Sequence, residues 1–172
     1  NLIDVNTDDL KRAVQALWGE EEADATPQAA DNSEPLPAAI RIAVASNDGE
    51  MLNGHFGSCV RFLVYELNAT AIRLVDLRTT LAADAAEDKN EARAELIADC
   101  AILFMISIGG PAAAKVVRTG IYPIKEKAPV PARDALVKLQ SVMAGSPPPW
   151  LAKILGQAPE DRVRFTLEEN VA

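Results

Sequence analysis

Two stretches of this chain carry almost no charge. IRIAVAS (40–46) has none after Arg41, and AILFMISI (101–108) has none at all. A strand with one wet face alternates apolar and polar residues, whereas a strand covered on both faces reads as a continuous apolar run. Both stretches are of the second kind. They predict two parallel neighbours at the centre of a sheet whose two faces are both covered by helices.

The segments around them fill in the rest. RFLVYEL (61–67) and AIRLVDLRTT (71–80), joined by Asn68-Ala69-Thr70, have the position and length of a hairpin. Asp84 to Cys100 reads as helix, with Ala92, Leu96 and Ala98–Cys100 on its apolar side. GGPAAAKVVRTG (109–120) gives a glycine turn, a proline at the first helical position, a helix and a glycine stop. IYPIKE (121–126) is an edge strand, because Pro123 lacks the donor that a central position needs. PARDALVKLQSVMAG (131–145) reads as a helix. SPPPWLAKILG (146–156) reads as a shorter one, capped by Ser146 and burying Trp150, Leu151, Ile154 and Leu155. A three-strand meander followed by helical crossovers predicts an α/β fold with antiparallel and parallel pairs. With strands numbered along the chain, the expected arrangement is a ribonuclease H-like motif. Its mixed five-stranded sheet runs in the order 3-2-1-4-5 and carries helices on its faces.

Ahead of this body, TDDLKRAVQALW (7–18) has the pattern of a short helix, with Thr7 as cap and Leu10, Val14 and Leu17 on one face. Residues 20–39 hold three prolines and little to bury, the composition of a flexible linker with few contacts to the body. The expected division is a helix at 1–19 ending a helical domain, an acidic linker at 20–39, a core domain at 40–156 and a charged tail at 157–172. Asn1 rather than methionine opens the chain, as in a fragment or a processed form. Residues 1–39 carry nine acidic and two basic side chains, and the remainder sixteen and fifteen. The acidity therefore lives in the front segment and the body is nearly neutral, which argues against a nucleic-acid-binding body. No apolar run is long enough to span a bilayer. Two cysteines far apart, Cys59 and Cys100, form no disulfide framework, and a reducing cytoplasmic setting is expected.

The chemistry concentrates in two loops. Strand 40–46 runs into residues 47–60, which include GHFGSC (54–59) and the only histidine, His55. Strand 101–108 runs into Gly109-Gly110-Pro111 and a helix N-terminus. If the strands are parallel neighbours, both loops leave the same carboxyl edge, where open α/β sheets bind ligands. The amides of Gly110, Ala112 and Ala113 would offer an anion site there, and strand 121–126 would deliver Lys125 and Lys127. One imidazole, a helix N-terminus and two lysines suit an anionic ligand containing a metal that accepts nitrogen. Each feature also has a plainer reading: a solvated loop histidine, packed cysteines, a strand-to-helix turn, lysines guarding a sheet edge. Neither central strand carries the carboxylates that a two-metal nuclease needs. No serine or cysteine has a clear base partner apart from His55, and one histidine with two cysteines makes a poor structural zinc site.

DGEMLNGHFGSCVRFLVYEL (48–67), DCAILFMISIGGPAAAKVVRTGIYPIK (99–125) and PPPWLAKIL (147–155) together resemble the nitrogenase cofactor-binding family of NifX, NafY and the C-terminal part of NifB. The resemblance covers residues 40 to about 156. The front helix and linker resemble the two-part layout of NafY-type nitrogenase accessory factors. It implies a carrier of the iron–molybdenum cofactor or its precursor rather than an enzyme. It further implies association with apo-dinitrogenase and with cofactor-biosynthesis proteins, and no nucleic-acid or membrane partner. The family's cofactor-binding histidine falls on His55. Gly54, Phe56, Gly57, Gly109, Gly110, Lys125 and Lys127 are the residues expected around the cargo, with Cys59 as the rival metal donor. Where members of the family often have a histidine in the block GI-x-PIK, this chain has Tyr122, which leaves His55 as the sole imidazole. Two other readings stand beside this one: a small phosphate-ester hydrolase or transferase using His55, and a partner-stabilising protein that binds no cofactor.

Overall fold

The computed structural model describes residues 26–30 and 34–156. The helix expected over 7–18 and the tail from Gln157 lie outside the described residues. The elements are β1 (Ile40–Ser46), β2 (Met51–Leu52), β3 (Arg61–Leu67), β4 (Ile72–Thr79), α1 (Leu81–Asp84), α2 (Lys89–Leu96), β5 (Ile102–Met105), α3 (Gly110–Arg118), β6 (Tyr122–Lys125), β7 (Val130–Pro131), α4 (Ala132–Ala144) and α5 (Pro149–Leu155). The main sheet has five strands in the order β4-β3-β1-β5-β6, and β2 pairs with β7 in a separate two-stranded ribbon. β1 is antiparallel to β3 and parallel to β5, with Ile42, Ala43 and Val44 beside Ile102, Leu103 and Phe104. The two charge-free strands are thus adjacent and parallel.

Their alternating side chains build two cores. Ile42, Val44, Ile102 and Phe104 join Leu136, Leu139 and Leu151 on the face covered by α4 and α5. Ala43, Ala45, Leu103 and Met105 join Ala94, Ile97, Ala112 and Val116 on the face covered by α2 and α3. The stretches Ile42–Ala45 and Ile102–Met105 carry no charge, because an unpaired ion there would cost several kcal/mol (order of magnitude). Pro123 sits in β6, at the sheet edge, where a missing N–H breaks no ladder.

Three local expectations are corrected. Of the stretch expected as helix over 84–100, only α2 (Lys89–Leu96) and the last residue of α1, Asp84, are helical. Asp88 starts α2 by accepting from the Glu91 N–H at 3.0 Å, and the helix ends at Ile97 so that the chain can turn into β5. Its buried residues are Arg93 and Ala94, whereas Ala92 and Leu96 are only half-buried. α5 starts after Pro148, with no side-chain cap, so Ser146 does not cap it. Gly110 is the first residue of α3, which puts Pro111 at the second position.

The described part of the segment read as a linker contains no helix or strand, yet it is hydrogen-bonded to the body. Ala30 N–H donates to Leu74 O at 2.8 Å. The Arg73 guanidinium donates to Glu34 O at 2.7 Å, Leu36 N–H to a Glu66 carboxylate oxygen at 3.3 Å, and Asn68 Nδ2 to Pro37 O at 3.1 Å. β4 is an edge strand, and an edge presents backbone groups that lack a strand partner; Ala30 takes one of them.

Arg93 is the largest fully buried side chain, only 1 % exposed. It pairs with Asp84 through both Nε and Nη2, and its Nη1 donates to Phe56 O at 2.8 Å and Cys59 O at 3.0 Å. One planar guanidinium therefore ties α1 and α2 to the loop that carries His55. Replacing it by a similar-sized apolar chain removes these donors: the buried Phe56 carbonyl loses its nitrogen donor, Cys59 O keeps only the Thr80 hydroxyl, and Asp84 loses its cation. Arg93→Met should lower stability by about 2–4 kcal/mol, read as a lower urea midpoint. A loss below about 1 kcal/mol, within the ordinary range of single substitutions, would show that the carbonyls find other partners.

Candidate functional site

The carboxyl ends of β1, β5 and β6 lie at one edge of the sheet, because the three strands are parallel. β1 and β5 stay paired only as far as Val44 and Phe104. Beyond that point Gly54 enters between them: its N–H donates to Ala45 O at 3.0 Å and its carbonyl accepts from Ile106 N–H at 2.8 Å. A Cβ on residue 54 would lie 2.6 Å from Cys59 Cβ, 2.8 Å from the Ala45 carbonyl carbon and 2.9 Å from Ser46 N. Two of these are backbone atoms, so only glycine fits. Gly54 serves the site by letting the loop wedge into the split of the sheet.

The next three residues alternate in role. His55 is exposed, Phe56 is fully buried and Gly57 is exposed. Phe56 drives into the core on the α2–α3 face, with its ring centroid 5.9 Å from that of Phe62. Burying such a ring stabilises by about 1.5–3 kcal/mol, so Phe56 anchors the loop. His55 forms a parallel bridge with Ser107. Phe56 N–H donates to Ser107 O at 2.9 Å, and His55 Nδ1 lies 2.5 Å from Ser107 Oγ. The turn then closes on the carbonyl of His55, which accepts from Cys59 N–H at 2.8 Å.

Ser107 leads directly to Gly109 and the N-terminus of α3. Ala113 N–H donates to Gly109 O at 2.9 Å, closing the first helical turn, and Pro111 has no N–H. The donors left at this end are the amides of Gly110 and Ala112, so Ala113 drops out of the expected trio. A helix N-terminus carries roughly half a positive charge. Gly109 and Gly110 are both exposed. Lys125 stands beside Met105 in register, and Ile124 packs on the α4–α5 face, so Lys125 projects on the α3 side. Lys125 and Lys127 are exposed, and neither forms an ion pair among the described residues.

Cys59 lies apart from this surface. It is fully buried, with Sγ 3.5 Å from Arg93 Nη1. Burial pushes its thiol up from the ordinary 9.0 to about 11, against the pull of Arg93. Tyr122 opens β6 beside Ile102, three residues before Lys125 and therefore about 10 Å toward the opposite edge. It stacks on Trp150 at 3.9 Å between ring centroids. A histidine at this position would sit at the far end of the strand from His55. Among the described residues, no group of three or more His, Cys, Asp or Glu could hold a metal ion, and no helix is long and apolar enough to cross a membrane. A groove of about 340 Å³ between α2 and α3 is lined by Glu91, Ala94, Glu95, Lys115, Arg118 and Thr119 and includes none of the expected site residues. Sequence reasoning missed Ser107 and Arg93. Ser107 is the only hydroxyl in AILFMISI, a signal available before the fold, whereas nothing in the sequence separates Arg93 from a surface arginine.

Residues 38–142 match the family described as dinitrogenase iron-molybdenum cofactor. The chain is 50% identical over 127 residues to the protein NifY of Azotobacter vinelandii, covering 74% of this chain and 52% of that protein. It is 37% identical over 139 residues to the protein NifX of Rhodobacter capsulatus, covering 76% and 87% respectively. The chain thus spans about half the length of that NifY. In fold it is similar to the apo form of the orange protein of Desulfovibrio gigas, with a TM-score of 0.50 and 19% identity over 59% of this chain and 87% of that one.

The buried cysteines make a pH-dependent prediction. Burial raises Cys59 to about 11 and Cys100 to about 12. Both folded values exceed the ordinary thiol value, so the native state keeps protons that the unfolded chain releases. This contribution to stability is complete below about pH 9 and declines as pH rises toward 11. At pH 8 a thiol-reactive dye should label neither cysteine in the native protein and both in urea. Rapid native labelling of Cys59 at that pH would contradict its burial.

Proposed function

The chain belongs to the dinitrogenase iron-molybdenum cofactor family, and from that premise we propose that it binds and carries the iron–molybdenum cofactor, or its precursor, as cargo. The observation that carries this reading is His55. The only imidazole of the chain is exposed at the split between β1 and β5, one bridge away from the strand that opens into α3. A metal in such a cluster needs a nitrogen or sulfur donor. The lysine ammonium groups have no lone pair, and the Cys59 thiol is buried and protonated. His55 is therefore the protein ligand. The amides of Gly110 and Ala112, with Lys125 and Lys127, supply the positive field that an anionic cluster requires. Gly57, Gly109 and Gly110 leave open surface on which a bulky cargo can lie. Gly54 and Phe56 hold the loop from inside.

A single coordinate bond with diffuse electrostatics suits transfer, because the cargo leaves when one ligand is exchanged. On this reading the protein is a carrier rather than an enzyme, built on a ribonuclease H-like motif. It works in the cytoplasm, between cofactor-biosynthesis proteins and apo-dinitrogenase, and aids insertion into the latter. The front segment serves the partner, while its residues Ala30, Glu34, Leu36 and Pro37, which are hydrogen-bonded to the body, stay with the cofactor-binding core.

Anaerobic titration with isolated cofactor tests the ligand. His55→Ala should weaken binding at least about tenfold, or about 1.4 kcal/mol, and change folding stability by no more than roughly 0.5 kcal/mol, since the side chain is exposed. Lys125→Ala and Lys127→Ala should weaken binding partly and reduce its dependence on salt. Unchanged affinity in His55→Ala would overturn the reading.

The division of labour has its own test. Removal of residues 1–25 should leave cofactor affinity unchanged and weaken capture of apo-dinitrogenase in a pull-down. Loss of cofactor binding on truncation would mean that the two tasks are not separable.

A further inference from the structure

His55 and Ser107 face one another as a bridged pair, so the backbone brings their side chains together. The contact of 2.5 Å between Nδ1 and Oγ occupies one imidazole nitrogen. Nε2 has no hydrogen-bond partner among the described residues, and the ring is exposed. A neutral imidazole has one N–H and one lone pair, while a hydroxyl can donate or accept. A metal takes the lone pair. Nε2 can offer it with the Ser107 contact intact only when Nδ1 carries the proton. The hydrogen bond made by one ring nitrogen sets the state of the other, and ligating histidines characteristically donate their second N–H to a nearby oxygen.

We propose that Ser107 is a positioning residue for His55: its Oγ accepts from Nδ1–H, holds the ring in that tautomer and presents the Nε2 lone pair to a metal centre at the sheet edge. The purpose of this pairing rests on the reading of His55 as the cargo ligand; the pairing itself does not. Two backbone hydrogen bonds, Phe56 N–H to Ser107 O and Ile106 N–H to Gly54 O, keep the two residues in register. The imidazole is thus oriented before any cargo arrives, and less freedom remains to be lost on binding.

The lone histidine makes the test direct, since every imidazole nitrogen signal belongs to His55. Protein labelled with ¹⁵N at histidine is examined by two-bond ¹H–¹⁵N correlation at alkaline pH, without cofactor. The wild type should show mainly the Nδ1–H tautomer. Ser107→Ala should move the population toward Nε2–H, and Ser107→Thr, which keeps the hydroxyl, should resemble the wild type. A wild type in the Nε2–H form overturns the proposal without recourse to any variant, as does a tautomer ratio unaltered in Ser107→Ala. In anaerobic titration with isolated iron–molybdenum cofactor, Ser107→Ala should bind about tenfold more weakly and Ser107→Thr nearly as well as the wild type. Equal affinity of Ser107→Ala and wild type overturns the positioning role. If the wild type takes up no cofactor, the carrier reading fails, while the tautomer measurement still decides whether Ser107 accepts from Nδ1–H.

Discussion

The parallel pairing of β1 and β5 decides where every other feature of the site lies. Two strands buried on both faces must be neighbours in the middle of the sheet, and parallel neighbours send their following loops to one edge. The pairing stops early, after Val44 and Phe104, and the gap is filled by Gly54 and the residues after it. His55 thereby sits between strand ends rather than at the tip of a loop. Its position relative to the N-terminus of α3 is set by backbone hydrogen bonds on both sides. Gly54 is the narrow point of this arrangement, because β1 and Cys59 leave no room for a side chain there.

The loop is held from within and open from without. Phe56 and Cys59 are buried in the core, and their carbonyls accept from the interior guanidinium of Arg93. Thr80 adds a hydroxyl donor to Cys59 O at 2.8 Å. A buried charge is tolerated when it is paired and its donors are used, and Arg93 meets both conditions through Asp84 and the loop carbonyls. On the outer side, His55, Gly57, Gly109 and Gly110 are exposed. A rigid base under an open surface suits the carrier proposed here, which must recognise a large cluster without enclosing it.

The elements that could be read in advance are those whose signal is local. The apolar runs of β1 and β5, the hairpin between β3 and β4, the glycine and proline that begin α3, and Pro123 at the edge all state their position through nearest neighbours. Errors arose where tertiary demands prevail. The run from Asp84 to Cys100 breaks because Asp88 caps a new helix and Ile97 must turn toward β5. The proline-rich stretch before β1 holds to the sheet edge because Leu74 O and Glu66 accept from it, which its composition could not reveal. The ribbon of β2 and β7 pairs residues about eighty positions apart and has only two residues in each strand, too few for a periodic signal.

The sequence by itself determined the fold class and the edge at which a ligand could lie. Hydrophobic periodicity and backbone-limiting residues act over a few positions and are present in the linear chain. It also singled out His55, by the scarcity of histidine. What only the tertiary structure decided is how the neighbouring residues divide their work. Of six consecutive residues in GHFGSC, Gly54 is a wedge, His55 is exposed, Phe56 is an anchor, and Cys59 is a buried neutral thiol. Tyr122 and Lys125 share one short strand, yet they serve opposite edges of the sheet. The partners of His55 come from residues 52 and 38 positions away: Ser107 beside its ring, and Arg93 beneath its loop. Such contacts depend on strand pairing and burial across the whole domain, and no local pattern records them.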